Sequence, residues 1–347
     1  VHMNIKRIGL DLAKQVFQLH AVDHQERVVL RKTLHRARML TFFTRLEPCL
    51  IGIEACGSSH YWARELTRLG HTVRIIPPQF VKPYLKGNKN DANDAEAICE
   101  AVSRPNMRFV PVKTVEQQDI QALHRIRQEQ VRQRTALVNQ IRGLLSEYGI
   151  VISRRVESLR NALPDILEDA ENRLTADFRI LLKGLQEDLM HLDDRIGTQD
   201  QAIKRLAQEH EGAKRLQQLR GIGPITATAL IAAIGDGRQF ARGRDAAAWC
   251  GLVPGQHSSG GKCKLLGISK RGDTYLRTLM IHGARAVLKT AQSKDDRLSQ
   301  WLQKLCNRRN KNIAAVALAN KTMRMAWALL VRGQDYDPNF GYEIGAA

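Results

Sequence analysis

Two apolar runs end in an acid: "IGLDL" carries Asp11, and "CLIGIE" closes on Glu54. A third acidic feature, "KGNKNDANDAEAI", holds Asp91 and Asp94 three residues apart where a helical pattern begins. Such short apolar runs read as buried strands, and in open α/β sheets ligands gather beyond the carboxyl ends of strands. Asp11 and Glu54 are therefore expected to converge there. Residues at i and i+3 share one face of a helix, which turns Asp91 and Asp94 the same way. Four carboxylates in one crevice repel one another unless cations neutralise them. Oxygen-only ligands without His or Cys select hard ions. Mg²⁺ is expected, with Mn²⁺ as a substitute, in a pair about 3.5–4 Å apart that grips the attacking and leaving oxygens of a phosphodiester. Taken alone, Asp91 and Asp94 also fit ordinary acids at a helix N-terminus, where the macrodipole favours them. Lys86 and Lys89 beside them are candidate phosphate contacts.

A second constellation lies far along the chain. "QHSSGGKCK" places Ser258 and Ser259 in a glycine-rich, exposed loop with Lys262 and Lys264 close behind. Glycines let a backbone and a hydroxyl approach a phosphate closely, and lysines balance its charge, so a serine here is a candidate nucleophile. A merely flexible Ser-Gly loop is the plainer reading. "ISKRGDTYLR" adds Lys270, Arg271 and Arg277 as phosphate contacts. "RGIGPITATAL" has the form of a helix-hairpin-helix, in which backbone N–H groups around Gly221 and Gly223 hold one DNA phosphate. A packing hairpin would look the same.

The elements that must carry these residues can be read from periodicity. "IKRIGLDL", "QVFQLHAV" and "RVVLRKT" form an antiparallel meander, followed by a helical "LHRARMLTFFTRLE" and a strand in "CLIGIEACG". "SSHYWARELTRLG" reads as a helix with capping serines and a terminal glycine, and "HTVRIIPP" as a strand stopped by Pro77 and Pro78. This order predicts an α/β domain with a mixed sheet over residues 3–112. From about Val115 long helices take over. Leu182, Leu185, Leu189, Leu192, Ile196, Gln199, Ile203 and Leu206 keep a 3-4 spacing that marks a heptad seam. An intramolecular hairpin and a dimerising coiled coil explain that seam equally well. Helices and coil are assigned to 113–212, a mostly α-helical domain to 213–335 and a tail to 336–347.

A chain of 347 residues supports two or three domains. Its formal charge of +19 points to a polyanionic partner, most simply nucleic acid. The charge is concentrated: residues 262–332 hold 16 Lys or Arg against three acids, while 113–261 is close to neutral. Six scattered cysteines without a C-x-x-C pair argue against a zinc ribbon or a disulfide framework. Val1 and His2 ahead of Met3 read as a cloning remnant. No signal peptide or membrane span is recognised, so a cytoplasmic, nucleoid-associated protein is expected.

Six motifs, "IGLDLAK", "IGIEACGS", "KNDANDAEAI", "LRGIGPITATALIAAIGD", "AWCGLVPGQHSSGGK" and "ISKRGDTYLR", occur in the order found in the DEDD transposases of bacterial insertion sequences. That group includes the Piv-type invertases and the bridge-RNA-guided recombinases, and the resemblance runs from about Ile5 to Arg332. It implies a RuvC-like (RNase H-like) nuclease domain whose acidic set falls on Asp11, Glu54, Asp91 and Asp94. A coiled coil and a C-terminal transposase domain are implied after it. The serine essential to strand exchange falls at Ser259, directly before Gly260, with Ser258 beside it as the competing choice. The resemblance further implies DNA as substrate, an element-encoded guide RNA and a homo-oligomer, dimer or tetramer, whose active site is assembled between domains or subunits. A RuvC-like junction resolvase using activated water is the nearest alternative, and a non-enzymatic nucleic-acid scaffold the next.

Overall fold

The computed structural model describes residues 4–86 and 90–338. Lys89 lies outside them. The chain divides after Thr114 into two compact units.

The first unit is built on a five-stranded mixed sheet in the order β3-β2-β1-β4-β5. Strand β1 (Arg7–Leu12) runs antiparallel to β2 (Val16–Val22), which runs antiparallel to β3 (Val28–His35). A 3-10 turn at Arg36–Arg38 and helix α1 (Met39–Thr44) lead to β4 (Leu50–Glu54), which is parallel to β1. Helix α2 (Ser59–Arg68) then crosses to β5 (Thr72–Ile76), parallel to β4, and a short α3 (Pro78–Val81) precedes α4 (Asp91–Val102). The mixed sheet expected from the strand pattern is present. β1 and β4 are apolar because both of their faces are covered. Ile8, Leu10, Ile51 and Ile53 pack with Phe17, Phe43, Trp62 and Leu66, and Trp62 meets Phe17 edge-on at 5.2 Å.

Two details differ from the sequence reading. The helical stretch around Met39 is shorter than its pattern suggests and opens with a 3-10 turn. At α2 the serines make no side-chain cap. The Ser59 hydroxyl instead donates to the Cys56 carbonyl at 2.9 Å, tying down the bend that follows Glu54.

The second unit is helical apart from one ribbon. It contains α5 (Val115–Glu147), α6 (Val156–Glu168), α7 (Ala176–Glu209), α8 (Glu211–Gln217), α9 (Pro224–Ile234) and α10 (Gly243–Trp249). The hairpin β6 (Pro254–Ser259) and β7 (Lys262–Ile268) comes next, then α11 (Thr274–Ala291), α12 (Arg297–Arg308) and α13 (Lys311–Arg332). The segment expected to be an exposed loop is thus an exposed antiparallel ribbon, closed by Gly260 and Gly261 at φ 54° and 76°. Positive φ at both loop residues is the two-residue turn whose twist matches a hairpin.

α5 and α7 lie antiparallel, joined by Arg127 to Asp200 (2.5 Å) and Arg134 to Asp193 (3.0 Å). Leu182, Leu189, Ile196 and Ile203, every seventh residue of α7, are buried, while Leu185, Leu192, Gln199 and Leu206 stay half-buried. The heptad seam is therefore spent at least in part within the chain. His124 of α5 is buried between the Tyr275 hydroxyl (3.0 Å) and the Thr228 hydroxyl (2.9 Å), and burial pushes its imidazole down to about 4. The Thr228 hydroxyl donates to the Pro224 carbonyl, so it must accept from Nε2–H, which leaves Nδ1 to accept from Tyr275. All six cysteines are free, and no helix among the described residues is long and apolar enough to cross a membrane.

Gln130 of α5 is 3% exposed, and neither atom of its amide has a hydrogen-bond partner. A buried unpaired amide costs about 1–3 kcal/mol. Gln130→Leu is expected to raise the thermal midpoint of the second unit, read by calorimetry; an unchanged or lower midpoint would mean the amide is satisfied in solution.

Candidate active site

Strand geometry decides what faces α4. Side chains alternate along a strand, so Arg7, Gly9 and Asp11 share one face of β1. Gly9 pairs with Gly52 of β4 in the parallel ladder, and extending that register sets Glu54 beside Asp11, one strand spacing of about 4.8 Å away. Helix α4 lies along this face. A methyl group added at Gly9 would fall inside the van der Waals envelopes of the Ala95 carbonyl oxygen and the Cys99 amide nitrogen. One added at Gly52 would lie 2.8 Å from Val102 Cβ. The two glycines form a trough that brings the helix backbone against the sheet. At the far end of the same face the buried Arg7 guanidinium donates to the Cys99 carbonyl at 2.9 Å and pairs with Glu26.

The near end of the helix then meets Asp11. Asn90 caps α4, its side chain accepting from the Asn93 amide at 2.8 Å, which starts the helix at Asp91. Asp11, Asp91 and Asp94 each offer a carboxylate oxygen within 4.8 Å of the others. Glu54 is not in that closest set, but its charge acts on Asp11. Burial first, then the charges of Asp94, Asp91 and Glu54, push the Asp11 carboxyl up to about 6. The donor set is oxygen only, and its members repel one another, which is the chemistry a hard divalent cation fits. Lys86 is drawn away from this cluster to Glu96, 3.3 Å from its Nζ.

In the second unit the ribbon register separates the two serines. Ser258 pairs with Cys263 and Ser259 with Lys262, so they face opposite ways. Gln256 shares the Ser258 face and donates to its hydroxyl at 2.8 Å and to Cys263 Sγ at 3.4 Å. Ser259 shares the other face with His257, Lys262 and Lys264. Lys262, Lys264, Lys270 and Arg271 are exposed. Arg277 is not: it is 8% exposed, and its guanidinium donates to the Cys250 and Arg271 carbonyls at 3.3 and 3.2 Å. Its sequence reading as a phosphate contact counted charge without knowing that a loop would wrap it. Gly221 backs onto Gly283 of α11, whereas Gly223 is exposed at the N-terminus of α9.

Sequence reasoning missed Gly9, Gly52, Arg7 and His257. The signal for Gly9 and Arg7 was available, since both lie at even spacing from Asp11 along a strand. Only the ladder register adds Gly52.

Comparison with known proteins supplies the context. A family profile described as "Transposase IS116/IS110/IS902 family" matches residues 213–299, and a DEDD IS110-type "Transposase" profile matches 8–150. The chain is 56% identical to a "Probable family 20 transposase" of Pseudomonas aeruginosa over 97% of its length and 100% of the relative's. It is 46% identical to the "Transposase for insertion sequence element IS1111A" of Coxiella burnetii, covering 96% of this chain and 92% of that one. It is 40% identical to the "Transposase for insertion sequence element IS1328" of Yersinia enterocolitica, covering 95% and 98%.

Two outcomes test the acidic centre. Burial and the neighbouring acids push the folded Asp11 carboxyl up to about 6 from its ordinary 3.8, so the native state holds the extra proton between those values. Its contribution to stability is present below about pH 4 and lost as pH rises through about 6. A cation must displace that proton. Mn²⁺ affinity measured by calorimetry is expected to fall about tenfold per pH unit below 6, and Asp11→Asn to weaken binding while raising the metal-free melting point at pH 8. A pH-independent affinity would sink this account. Gly9→Ala is expected to lift α4, costing about 1–3 kcal/mol and at least tenfold in Mn²⁺ affinity; loss of stability with unchanged affinity would show that the trough does not position the acids.

Proposed function

The chain belongs to the IS116/IS110/IS902 family of transposases, and from that premise we propose that it cuts and exchanges DNA strands of its own insertion sequence, with Ser259 as nucleophile and a divalent cation at Asp11, Glu54, Asp91 and Asp94. The observation that carries the metal reading is the convergence of Asp11, Asp91 and Asp94 beside the charge of Glu54. Mg²⁺ or Mn²⁺ bound there would supply positive charge to the oxygens of the scissile phosphate. The residues of the chain do the rest. Asp11 and Glu54 hold their carboxylates on rigid strand ends, and the capped first turn of α4 aims Asp91 and Asp94 at them.

Ser259 is favoured over Ser258 because it shares a face with two lysines and its neighbour does not. Attack by its hydroxyl on a phosphodiester would leave a phosphoserine link that conserves the energy of the bond broken, so that rejoining needs no ATP. Exposed Lys262, Lys264, Lys270 and Arg271, with the acid-poor segment 262–332, supply phosphate contacts. The helix-turn-helix arrangement of α8 and α9, with Gly223 exposed between them, supports the helix-hairpin-helix reading as a further phosphate contact. We further assign an element-encoded guide RNA as partner on the family resemblance. A homo-oligomer, with α7 contributing a coiled-coil contact, is assigned on the same resemblance.

A nicked duplex carrying the element's own end, with the RNA that copurifies from the host, is expected to trap the protein covalently on DNA in Mg²⁺. The adduct should vanish with Ser259→Ala and persist with Ser258→Ala. Hydrolytic cutting that Ser259→Ala leaves intact would instead identify a resolvase working through water. RNA that sequences as random cellular fragments would count against guiding.

A further inference from the structure

We propose that His257 is the general base for the serine step, an inference that rests on Ser259 being the nucleophile. His257 precedes Ser259 by two residues on β6, so both side chains leave the ribbon on one face, with Cα atoms about 6.6 Å apart. Directly across from them on β7 stand Lys264 and Lys262. The opposite face is already occupied by its own contacts, with Gln256 bonded to Ser258 and Cys263. The His257 ring makes no hydrogen bond among the described residues, and the ribbon from Pro254 to Ile268 carries no carboxylate that would bind it. Its exposure leaves it free to swing onto the neighbouring hydroxyl.

The chemistry separates the three basic groups on this face. A serine hydroxyl must lose its proton as it attacks, and the departing nucleotide oxygen must gain one. Imidazole exchanges protons near neutrality, whereas a lysine ammonium is a standing positive charge. Lys262 and Lys264 therefore suit the phosphate oxygens, and His257 suits the proton. In the step the Ser259 Oγ proton passes to the free ring nitrogen of His257, and an Oγ electron pair forms the new O–P bond. The P–O bond to the departing nucleotide breaks with its electron pair on that oxygen, which lies opposite Ser259 Oγ in the in-line displacement and takes its proton from water, while the imidazolium gives its own back to solvent. Rejoining runs the same sequence backwards, with the imidazolium returning a proton to Ser259 Oγ.

The test measures the rate of covalent adduct formation by the full-length protein on the nicked duplex described above. His257→Asn, an exposed replacement that disturbs no packing, is expected to slow it about 100-fold, within the usual range for one general base. Added imidazole should restore much of the rate, and DNA affinity should not change. An unchanged rate would overturn the proposal while leaving the serine reading intact. A slowed rate that imidazole does not rescue, with DNA affinity weakened in parallel, would also overturn it and make His257 a phosphate contact. Absence of any adduct with the unmodified protein would remove the serine reading and this proposal together.

Discussion

How closely helix α4 lies against strand β1 controls the whole acidic centre. Carboxylates of like charge do not seek each other out, and burial makes the crowding costlier, as the upward shift of Asp11 records. The first unit meets that cost with packing. Gly9 and Gly52 leave no side chain between helix and sheet, the small and branched residues Ala95, Ile98, Ala101 and Val102 fill the seam, and Arg7 grips the Cys99 carbonyl. The helix is held along its length so that its first turn has no freedom to retreat. A cation bound there would relieve the repulsion between the charges.

The ribbon of the second unit sets out its side chains by different means. A two-stranded ribbon has little core of its own and is marginal in isolation. Here its two chain ends are closed by the Ser269 amide bonding the Val253 carbonyl at 2.8 Å, and Arg277 of α11 ties the Cys250 and Arg271 carbonyls beside them. Arg277 is thus a buried fastening for the loops that flank the ribbon. Alternation along the strands then assigns faces without ambiguity. Hydroxyl, imidazole and two ammonium groups fall on one side, and an amide, a hydroxyl and a thiol on the other.

Much of this was legible in the sequence for identifiable reasons. Asp11 and Glu54 stood out because an acid ending a buried strand has no packing role, and Asp91 and Asp94 because helix spacing aligns them. The ordered motifs, matched by relatives along nearly the whole chain, pointed to a transposase. Other features were misread where local pattern is silent on partners. The capping serines of α2, the free charge of Arg277 and the flexible loop at Ser259 each depended on what lies opposite, which composition does not encode.

The sequence by itself determined which residues can do chemistry, the mixed sheet that carries two of the four acids and the basic character of the C-terminal region, because residue type, period and charge are local properties. Only the tertiary structure decided that Gly9 pairs with Gly52 to seat α4, that the α7 seam is spent at least in part on α5, and that Ser259 rather than Ser258 shares a face with His257 and the lysines. Those are matters of register and close approach. A shift of one residue in a ladder turns every side chain to the other side, and no stretch of chain read alone fixes its partner.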